Sequence, residues 1–254
     1  MALTGGEFAH QVVLITGGSR GIGWAAATRF LAEGARVAVW ALHPESAAAA
    51  RAASHGAIWA DAVDVADPDA VTAGYARVAE ALGPPSILVN NAGYTLTSRF
   101  LEETREYWEQ VIGTNLWGVI HCCRAALPAM VERGGGAVVN VVSDAGRVGM
   151  AGEAVYAAAK GGVIALSRSL AQEMARHRIR INCVSPGPTR THILEVNSQD
   201  PDAQRLIDKM IQRIPLRRVA EPEEVAEAIL FFASPRASHI TGQVLSVSGG
   251  LTMV

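Results

Sequence analysis

The sequence predicts an α/β fold in which a parallel seven-stranded sheet carries helices on both faces. Short runs rich in Val and Ile alternate along the chain with longer Ala-rich segments. The short runs are almost continuously apolar, as is typical of strands that helices cover on both sides. The chain has 254 residues, 50% hydrophobic and 18% charged, which is enough to bury one large core.

Each element follows from this alternation. The runs predicted as strands are Val12–Thr16, Arg36–Trp40, Ile58–Val63, Ile87–Asn90, Ala137–Val142, Ile179–Val184 and Val244–Val247. The segments predicted as helices are Gly21–Glu33, Pro44–Ser54, Pro68–Leu82, Arg105–Glu132, Ala154–His177 and Glu221–Phe232. No linker-like tract, repeat or charge block interrupts the pattern, so residues 1–254 are expected to form a single domain.

One segment departs from the alternation. Residues from about 188 to 216 contain Pro, Asn and Asp around a short predicted helix near Pro201–Gln212. An insertion of this kind after the sixth strand is expected to form a lid.

Composition excludes several classes of function. The net charge is −2 and the pI is near 6.4, so the chain lacks a basic field for nucleic acid or an anionic membrane. No segment reaches the roughly 18 apolar residues of a membrane span, and a cytoplasmic protein is expected. Cys122, Cys123 and Cys183 are odd in number, which favours reduced, packed thiols over disulfides or a metal site.

A glycine-rich loop follows the first predicted strand. Gly17, Gly21 and Gly23 come between that strand and a predicted helix. In this context glycines let the backbone approach a pyrophosphate and present it to the helix N-terminus. The other interpretation of such a loop is a tight structural turn.

Tyr156 and Lys160 are one helical turn apart on the same face. A nearby cation can lower the pKa of a phenol, and each unit corresponds to about 1.4 kcal/mol. By itself the pair could also be an ordinary surface pair. Ser143 follows the fifth predicted strand, so its hydroxyl is expected at the carboxyl edge of the sheet.

With Asn115 and the run Asn90-Asn91-Ala92-Gly93, these motifs make the chain resemble single-domain short-chain dehydrogenases/reductases from Val12 to Gly250. The resemblance implies a Rossmann-type doubly wound sheet and hydride transfer between a nicotinamide cofactor and a ketone or secondary alcohol. It also implies a catalytic set. Ser143 would polarise the carbonyl, Tyr156 would exchange the proton, Lys160 would lower the tyrosine pKa and hold the ribose, and Asn115 would anchor a water.

The resemblance also assigns cofactor-binding residues: Gly17, Ser19, Arg20, Gly21, Ile22, Gly23, Ala41, Asp64, Val65, Asn91, Ala92, Gly93, Tyr156, Lys160, Pro186, Gly187, Thr189 and Thr191. NAD-preferring relatives carry an Asp near the position of Ala41, and this chain has no carboxylate there. Arg20 could meet a 2′-phosphate, so NADP(H) is favoured. NAD(H) is the alternative, with Arg20 a solvated loop residue. Asp64 would bind the adenine, or is a turn aspartate.

Two subfamilies share features with the chain. Much of it resembles 3-oxoacyl thioester reductases, whereas Ser143-Asp-Ala and Gly152-Glu-Ala-Val-Tyr156 are similar to alicyclic hydroxyacyl-CoA dehydrogenases, which usually use NAD. Gly134 and Gln172 are uncharged where relatives that dock acyl carrier protein tend to be basic. The expected substrate pocket is mostly apolar and consists of Tyr94, Leu96, Asp144, Val148, Met150, Ile193 and Leu194. A hydrophobic ketone or 3-oxoacyl-type substrate is therefore expected, with Glu153 and Arg147 solvated or structural.

Two other classes are open. A non-catalytic nucleotide-sensing protein would be favoured by a broken Ser-Tyr-Lys set, and a nucleotide-sugar epimerase or dehydratase by a longer chain with a C-terminal substrate domain.

The two longest predicted helices carry apolar residues beyond those that one sheet face is expected to cover. In relatives these helices form a four-helix bundle, so the resemblance implies a homotetramer.

Overall fold

The computed structural model describes residues 6–197 and 201–254. Residues 1–5 and 198–200 lie outside the described residues. Both ranges belong to the predicted domain, and residues 198–200 also belong to the predicted lid. The strands are β1 Val12–Thr16, β2 Arg36–Ala41, β3 Trp59–Ala62, β4 Ile87–Asn90, β5 Gly136–Val141, β6 Ile179–Pro186 and β7 Val244–Val247. They form one parallel sheet in the order β3-β2-β1-β4-β5-β6-β7, which confirms the predicted fold class.

The helices connect the strands across both faces of the sheet. They are α1 Gly21–Ala32, α2 Pro44–Ala53, α3 Pro68–Leu82, α4 Arg105–Ile112, α5 Gly118–Arg133, α6 Ala145–Val148, α7 Ala154–Met174, α8 His192–Asn197, α9 Pro201–Arg213 and α10 Pro222–Ala233. Short 3₁₀ turns occupy Phe100–Glu102, Ala175–His177 and Pro235–Ala237. The predicted helix in the lid segment is therefore present as α9, and α8 precedes it.

Alternate side chains of each strand enter two separate cores. Val13 and Ile15 point to the face covered by α1, α2 and α10, where Phe30 is fully buried. Leu14 points to the opposite face, where Val163 of α7 packs with residues of α3 and α5. A period of two in the strands thus accounts for the two helical layers.

One predicted helix is interrupted. Residues 105–132 were expected to form a single helix, but a π-helical turn at Gly113–Trp117 separates α4 from α5. Single π turns widen a helix locally and frequently occur at functional sites. This π turn contains Asn115, one of the predicted catalytic residues.

Candidate active site

A cavity of about 980 Å³ lies at the carboxyl edge of the sheet, where the strand order reverses between β1 and β4. Open α/β sheets bind ligands in this crevice. The loops after β1 to β6 border the cavity, and α8 and α9 border it from the lid segment. Most predicted site residues meet here. Gly23 and Asn115 lie behind the lining, and Leu96, which was predicted to line the pocket, does not border the cavity.

The loop between β1 and α1 has the geometry that an anion-binding turn requires. Gly17 and Gly21 have φ values of +62° and +54°, a conformation that favours glycine. A Cβ at Gly23 would lie 2.4 Å from the carbonyl oxygen of Gly17, so only glycine lets this turn approach the helix. Arg20 is the N-cap residue of α1 and its side chain makes no capping hydrogen bond. The first N–H groups of α1 therefore lack a side-chain cap and suit a pyrophosphate.

Asn91 supports this loop from the end of β4. Its Nδ2 atom donates hydrogen bonds to the carbonyl oxygens of Thr16 at 3.1 Å and Gly17 at 2.9 Å. On the opposite side, the position of a Cβ at Gly21 lies 3.3 Å from Cγ2 of Thr191. The turn after β6 thus reaches the glycine loop, as a segment covering a bound dinucleotide would.

The end of β2 borders the cavity without a carboxylate. Ala41 is buried as the last residue of β2, and Leu42 and His43 follow it along the cavity wall. Within the described residues, the Arg20 guanidinium has no hydrogen-bond or ion-pair partner and also borders the cavity. Asp64 accepts a hydrogen bond from the Ala66 N–H at 2.9 Å, so one of its oxygens serves a local turn.

Tyr156 and Lys160 are brought beside Ser143 by α7. The Lys160 Nζ atom lies 5.6 Å from the centroid of the Tyr156 ring and donates a hydrogen bond to the carbonyl oxygen of Val141 at 2.9 Å. The strand before Ser143 was expected to end at Val142, and β5 ends one residue earlier, at Val141. The Ser143 hydroxyl accepts from the Ala145 N–H at 3.2 Å at the start of α6.

The electrostatics of the pair differ from the sequence-based expectation. Burial raises the pKa of Tyr156, the nearby Glu153 carboxylate raises it further, and a hydrogen bond with Ser143 acts in the opposite direction. Burial lowers the pKa of Lys160 to about 8. The net shift of the tyrosine pKa is therefore upward in the protein alone, because desolvation disfavours both charged forms, and the effect of Lys160 on the tyrosine stays a prediction.

Asn115 is fully buried in the π turn between α4 and α5. Its Nδ2 atom donates to the carbonyl oxygens of Tyr94 at 2.7 Å and Val111 at 2.9 Å. Its Oδ1 atom faces Gly93, where the position of a Cβ would lie 3.1 Å from Oδ1 and 3.6 Å from Nζ of Lys160. The absent side chain of Gly93 therefore leaves a space between the amide and the ammonium group.

Asp144 was predicted to line the substrate pocket, and it borders the cavity. It is 2% exposed, and its Oδ1 atom accepts hydrogen bonds from the hydroxyls of Ser185 at 2.8 Å and Ser246 at 2.7 Å. The Ser246 hydroxyl in turn accepts a hydrogen bond from the Arg147 guanidinium. Asp144 thus ties the segment after β5 to β6 and β7, although it borders the cavity.

The substrate end of the cavity is mostly apolar. Tyr94, Val148, Met150, Ile193 and Leu194 border it, as predicted. The cavity lining also contains titratable side chains that the sequence interpretation did not assign to it, namely Glu153, His192, Lys209 and Arg213. Burial raises the pKa of Glu153 to about 7. The sequence feature that could have assigned Glu153 to the cavity is its position three residues before Tyr156, on the same helical turn.

Metal and membrane features are absent from the described part of the chain. Residues 6–197 and 201–254 hold no cluster of three or more His, Cys, Asp or Glu side chains able to bind a metal. In the same residues no helix is long and apolar enough to cross a bilayer. The three cysteines are buried and free.

Known proteins resemble this chain over almost its whole length. Residues 17–252 match the family model described as enoyl-(acyl carrier protein) reductase. The 3-oxoacyl-[acyl-carrier-protein] reductase of Chlamydia muridarum is 39% identical over 246 residues, covering 95% of this chain and 97% of the relative. The acetoacetyl-CoA reductase of Rhizobium meliloti is 40% identical over 241 residues, covering 94% and 98%. The crystal structure of levodione reductase has a TM-score of 0.90 at 33% identity, covering 96% and 98%.

Proposed function

Because the chain belongs to the short-chain dehydrogenase/reductase family, we propose that its cavity binds NADP(H) together with a hydrophobic ketone or 3-oxoacyl-type substrate. The protein is an oxidoreductase that interconverts a ketone and a secondary alcohol with a nicotinamide cofactor. The observation that carries the assignment is the convergence of Ser143, Tyr156 and Lys160 on the cavity that also contains the glycine loop. The relatives do not favour the alternatives of a nucleotide sensor or an alicyclic hydroxyacyl-CoA dehydrogenase.

We assign the proton chemistry to Tyr156. When bound, the nicotinamide would supply or accept the hydride. The Tyr156 phenol gives its proton to the forming alkoxide in reduction and receives one in oxidation. A raised pKa keeps the phenol protonated, which is the form required for donation. Ser143 donates a hydrogen bond to the substrate oxygen and holds the carbonyl next to the phenol.

Lys160 and Asn115 are assigned to proton resupply and ribose binding. The position of a Cβ at Gly93 lies 3.1 Å from Asn115 Oδ1 and 3.6 Å from Lys160 Nζ, so the space there adjoins both polar groups. A water there could accept from Lys160 and donate to Asn115 Oδ1. This geometry supports the role that the family resemblance implies for Asn115.

The choice of NADP(H) over NAD(H) depends on Arg20. This guanidinium borders the cavity near Ala41, where a carboxylate would otherwise exclude a 2′-phosphate. Arg20→Ala should lower kcat/KM for NADPH by tenfold or more and leave NADH nearly unchanged, whereas the exposed control Arg124→Ala should change neither. A wild-type preference for NADH of tenfold or more would overturn this choice.

The substrate is proposed to be free or CoA-linked. Gly134 ends α5 in a left-handed conformation with φ of +76°, and Gln172 is exposed on α7, so neither offers a cation for an acidic carrier protein. Turnover is tested by following reduced cofactor with aryl ketones, alicyclic ketones, 3-oxoacyl-CoA and sugars. Tight cofactor binding without turnover of any of them would indicate a sensor instead.

We also propose a cytoplasmic homotetramer. The buried free thiols suit a reducing compartment. Trp117 is 52% exposed at the junction of α4 and α5, and with Trp108 and Ile112 it borders a shallow apolar depression. A second copy of these helices would cover this face. Light scattering that returned a monomer of 26.7 kDa would refute the assembly.

A further inference from the structure

Glu153 occupies an unusual position for an acidic side chain. It is the N-cap residue of α7, one turn before Tyr156, and it borders the cavity. Short polar N-cap side chains such as Asp often accept a hydrogen bond from the first N–H groups of the helix. The Glu153 side chain makes no such bond. Its carboxyl group is therefore available to the cavity.

No partner for this carboxyl group exists within the described residues. The Glu153 side chain has neither a hydrogen bond nor an ion pair there, although it is partly buried. A carboxylate that is removed from water without a donor is destabilised, and burial accordingly raises the pKa of Glu153. Its charge also raises the pKa of Tyr156. Glu153 lies one helical turn before Tyr156, and both residues border the same cavity.

The surroundings select the kind of group that Glu153 can bind. Val148, Met150 and Ile193 give the substrate end an apolar wall. Lys209 and Arg213 border the cavity from α9, on the lid side, and neither is an ion-pair partner of Glu153. A carboxylate repels anionic substituents and accepts hydrogen bonds, so a hydroxyl or amino group would complement it.

We propose that Glu153 is a substrate-binding residue that accepts a hydrogen bond from a hydroxyl or amino group of the substrate. The favoured substrates are then hydrophobic ketones that carry such a donor in addition to the reacting carbonyl. This inference rests on the proposed function, because it takes the reacting group to lie at Tyr156.

The experiment compares matched ketones. Cyclohexanones that carry a hydroxyl, methoxy or amino group at each ring position are tested as substrates of wild type, Glu153→Leu and Glu153→Gln. Wild type should prefer the best hydroxy compound over its methoxy analogue by roughly tenfold or more in kcat/KM. Glu153→Leu should bring this ratio close to one. Glu153→Gln should keep part of the preference for the hydroxy over the methoxy compound, because its amide oxygen still accepts a hydrogen bond. It should lose any preference of wild type for the amino over the methoxy compound, because the amide carries no negative charge.

Controls separate this role from a structural one. Glu173→Leu removes an exposed acidic group from the same helix and should leave the ratio unchanged. A hydroxy-to-methoxy ratio near one in wild type at every ring position, or an undiminished ratio in a folded Glu153→Leu, would overturn the inference. If no ketone is turned over, the proposed reaction fails. Calorimetric binding of the same pairs to cofactor-loaded protein then still reports whether Glu153 recognises the donor.

Discussion

Replacing Lys160 by Met should make the folded protein more stable near neutral pH. The ammonium group is 3% exposed, and within the described residues its hydrogen-bond partner is the carbonyl oxygen of Val141. Burial lowers its pKa from 10.5 to about 8. At about 1.4 kcal/mol per unit, this shift corresponds to roughly 3 kcal/mol of stability that wild type loses below pH 8.

The substitution also has a cost. It leaves the Val141 carbonyl without its donor, which costs about 1–3 kcal/mol for a buried acceptor. Met has a similar length and no charge, so it should fill the same space. The net effect is that Lys160→Met gains up to about 2 kcal/mol in the free energy of unfolding at pH 7.

The sign of the pH dependence provides the sharper test. The lysine pKa is lower in the folded protein, so the unfolded chain binds more protons between pH 8 and 10.5. This group therefore makes wild-type stability rise with pH in that window, and the advantage of Lys160→Met should shrink and then reverse.

Urea unfolding of both proteins at equal concentration, at pH 7 and at pH 9.5, measures the difference. Equal concentrations matter because assembly would also contribute to stability. Lys209→Met, which removes an exposed ammonium group, is the control and should change stability little. An advantage of Lys160→Met that stays constant between the two pH values would refute the reasoning.

Three further substitutions test the assignments. Tyr156→Phe should lower kcat by about 10²-fold or more, with folding and cofactor affinity near wild type. Tyr75→Phe removes a buried hydroxyl that has no hydrogen-bond partner among the described residues, and it should keep kcat. A Tyr156→Phe variant that retains more than about a tenth of wild-type kcat would exclude Tyr156 as the proton donor. Gly93→Ala puts a methyl group 3.1 Å from Asn115 Oδ1 and 3.6 Å from the α7 ammonium. It should reduce kcat about tenfold more than it weakens cofactor binding, and equal losses in both would contradict a water at this position. Arg180→Met removes hydrogen bonds to four backbone carbonyls around the end of α10. It should lower the free energy of unfolding by about 2–4 kcal/mol in denaturant titration, and a loss below about 1 kcal/mol would argue against this role.

The fold was largely predictable because it depends on local patterns. Runs such as Val12–Thr16 have no polar interruption, and that feature alone distinguishes strands covered on both faces. The π turn at Gly113–Trp117 was not predictable, since one extra residue in a helical turn does not alter the apolar pattern enough to reveal it. Its consequence is functional: it turns Asn115 inward to bond with Tyr94.

The sequence predicted most of the residues that border the cavity, but not all of their contacts. Spacing along α7 placed Tyr156 and Lys160 on one face, and the structure has them there. The hydrogen bonds of Asp144 join it to hydroxyls that are 41 and 102 residues away in sequence, so no local pattern could reveal them. Burial is likewise a property of the folded chain, and the pKa directions could not be derived from spacing.

The three titratable groups at the start of α7 explain why the spacing argument for Tyr156 was incomplete. Burial raises the pKa of Glu153 to about 7, lowers that of Lys160 to about 8 and raises that of Tyr156. Near neutral pH, desolvation therefore moves each group toward its uncharged form, against the charge separation that the Tyr-Lys pair suggests. Glu153 adds to the effect on Tyr156, because its negative charge opposes formation of the phenolate. A substrate donor that hydrogen-bonds to Glu153 would favour the charged form of this carboxyl group and so lower the pKa of Glu153. Recognition of the substrate and tuning of the proton donor would then depend on the same carboxyl group.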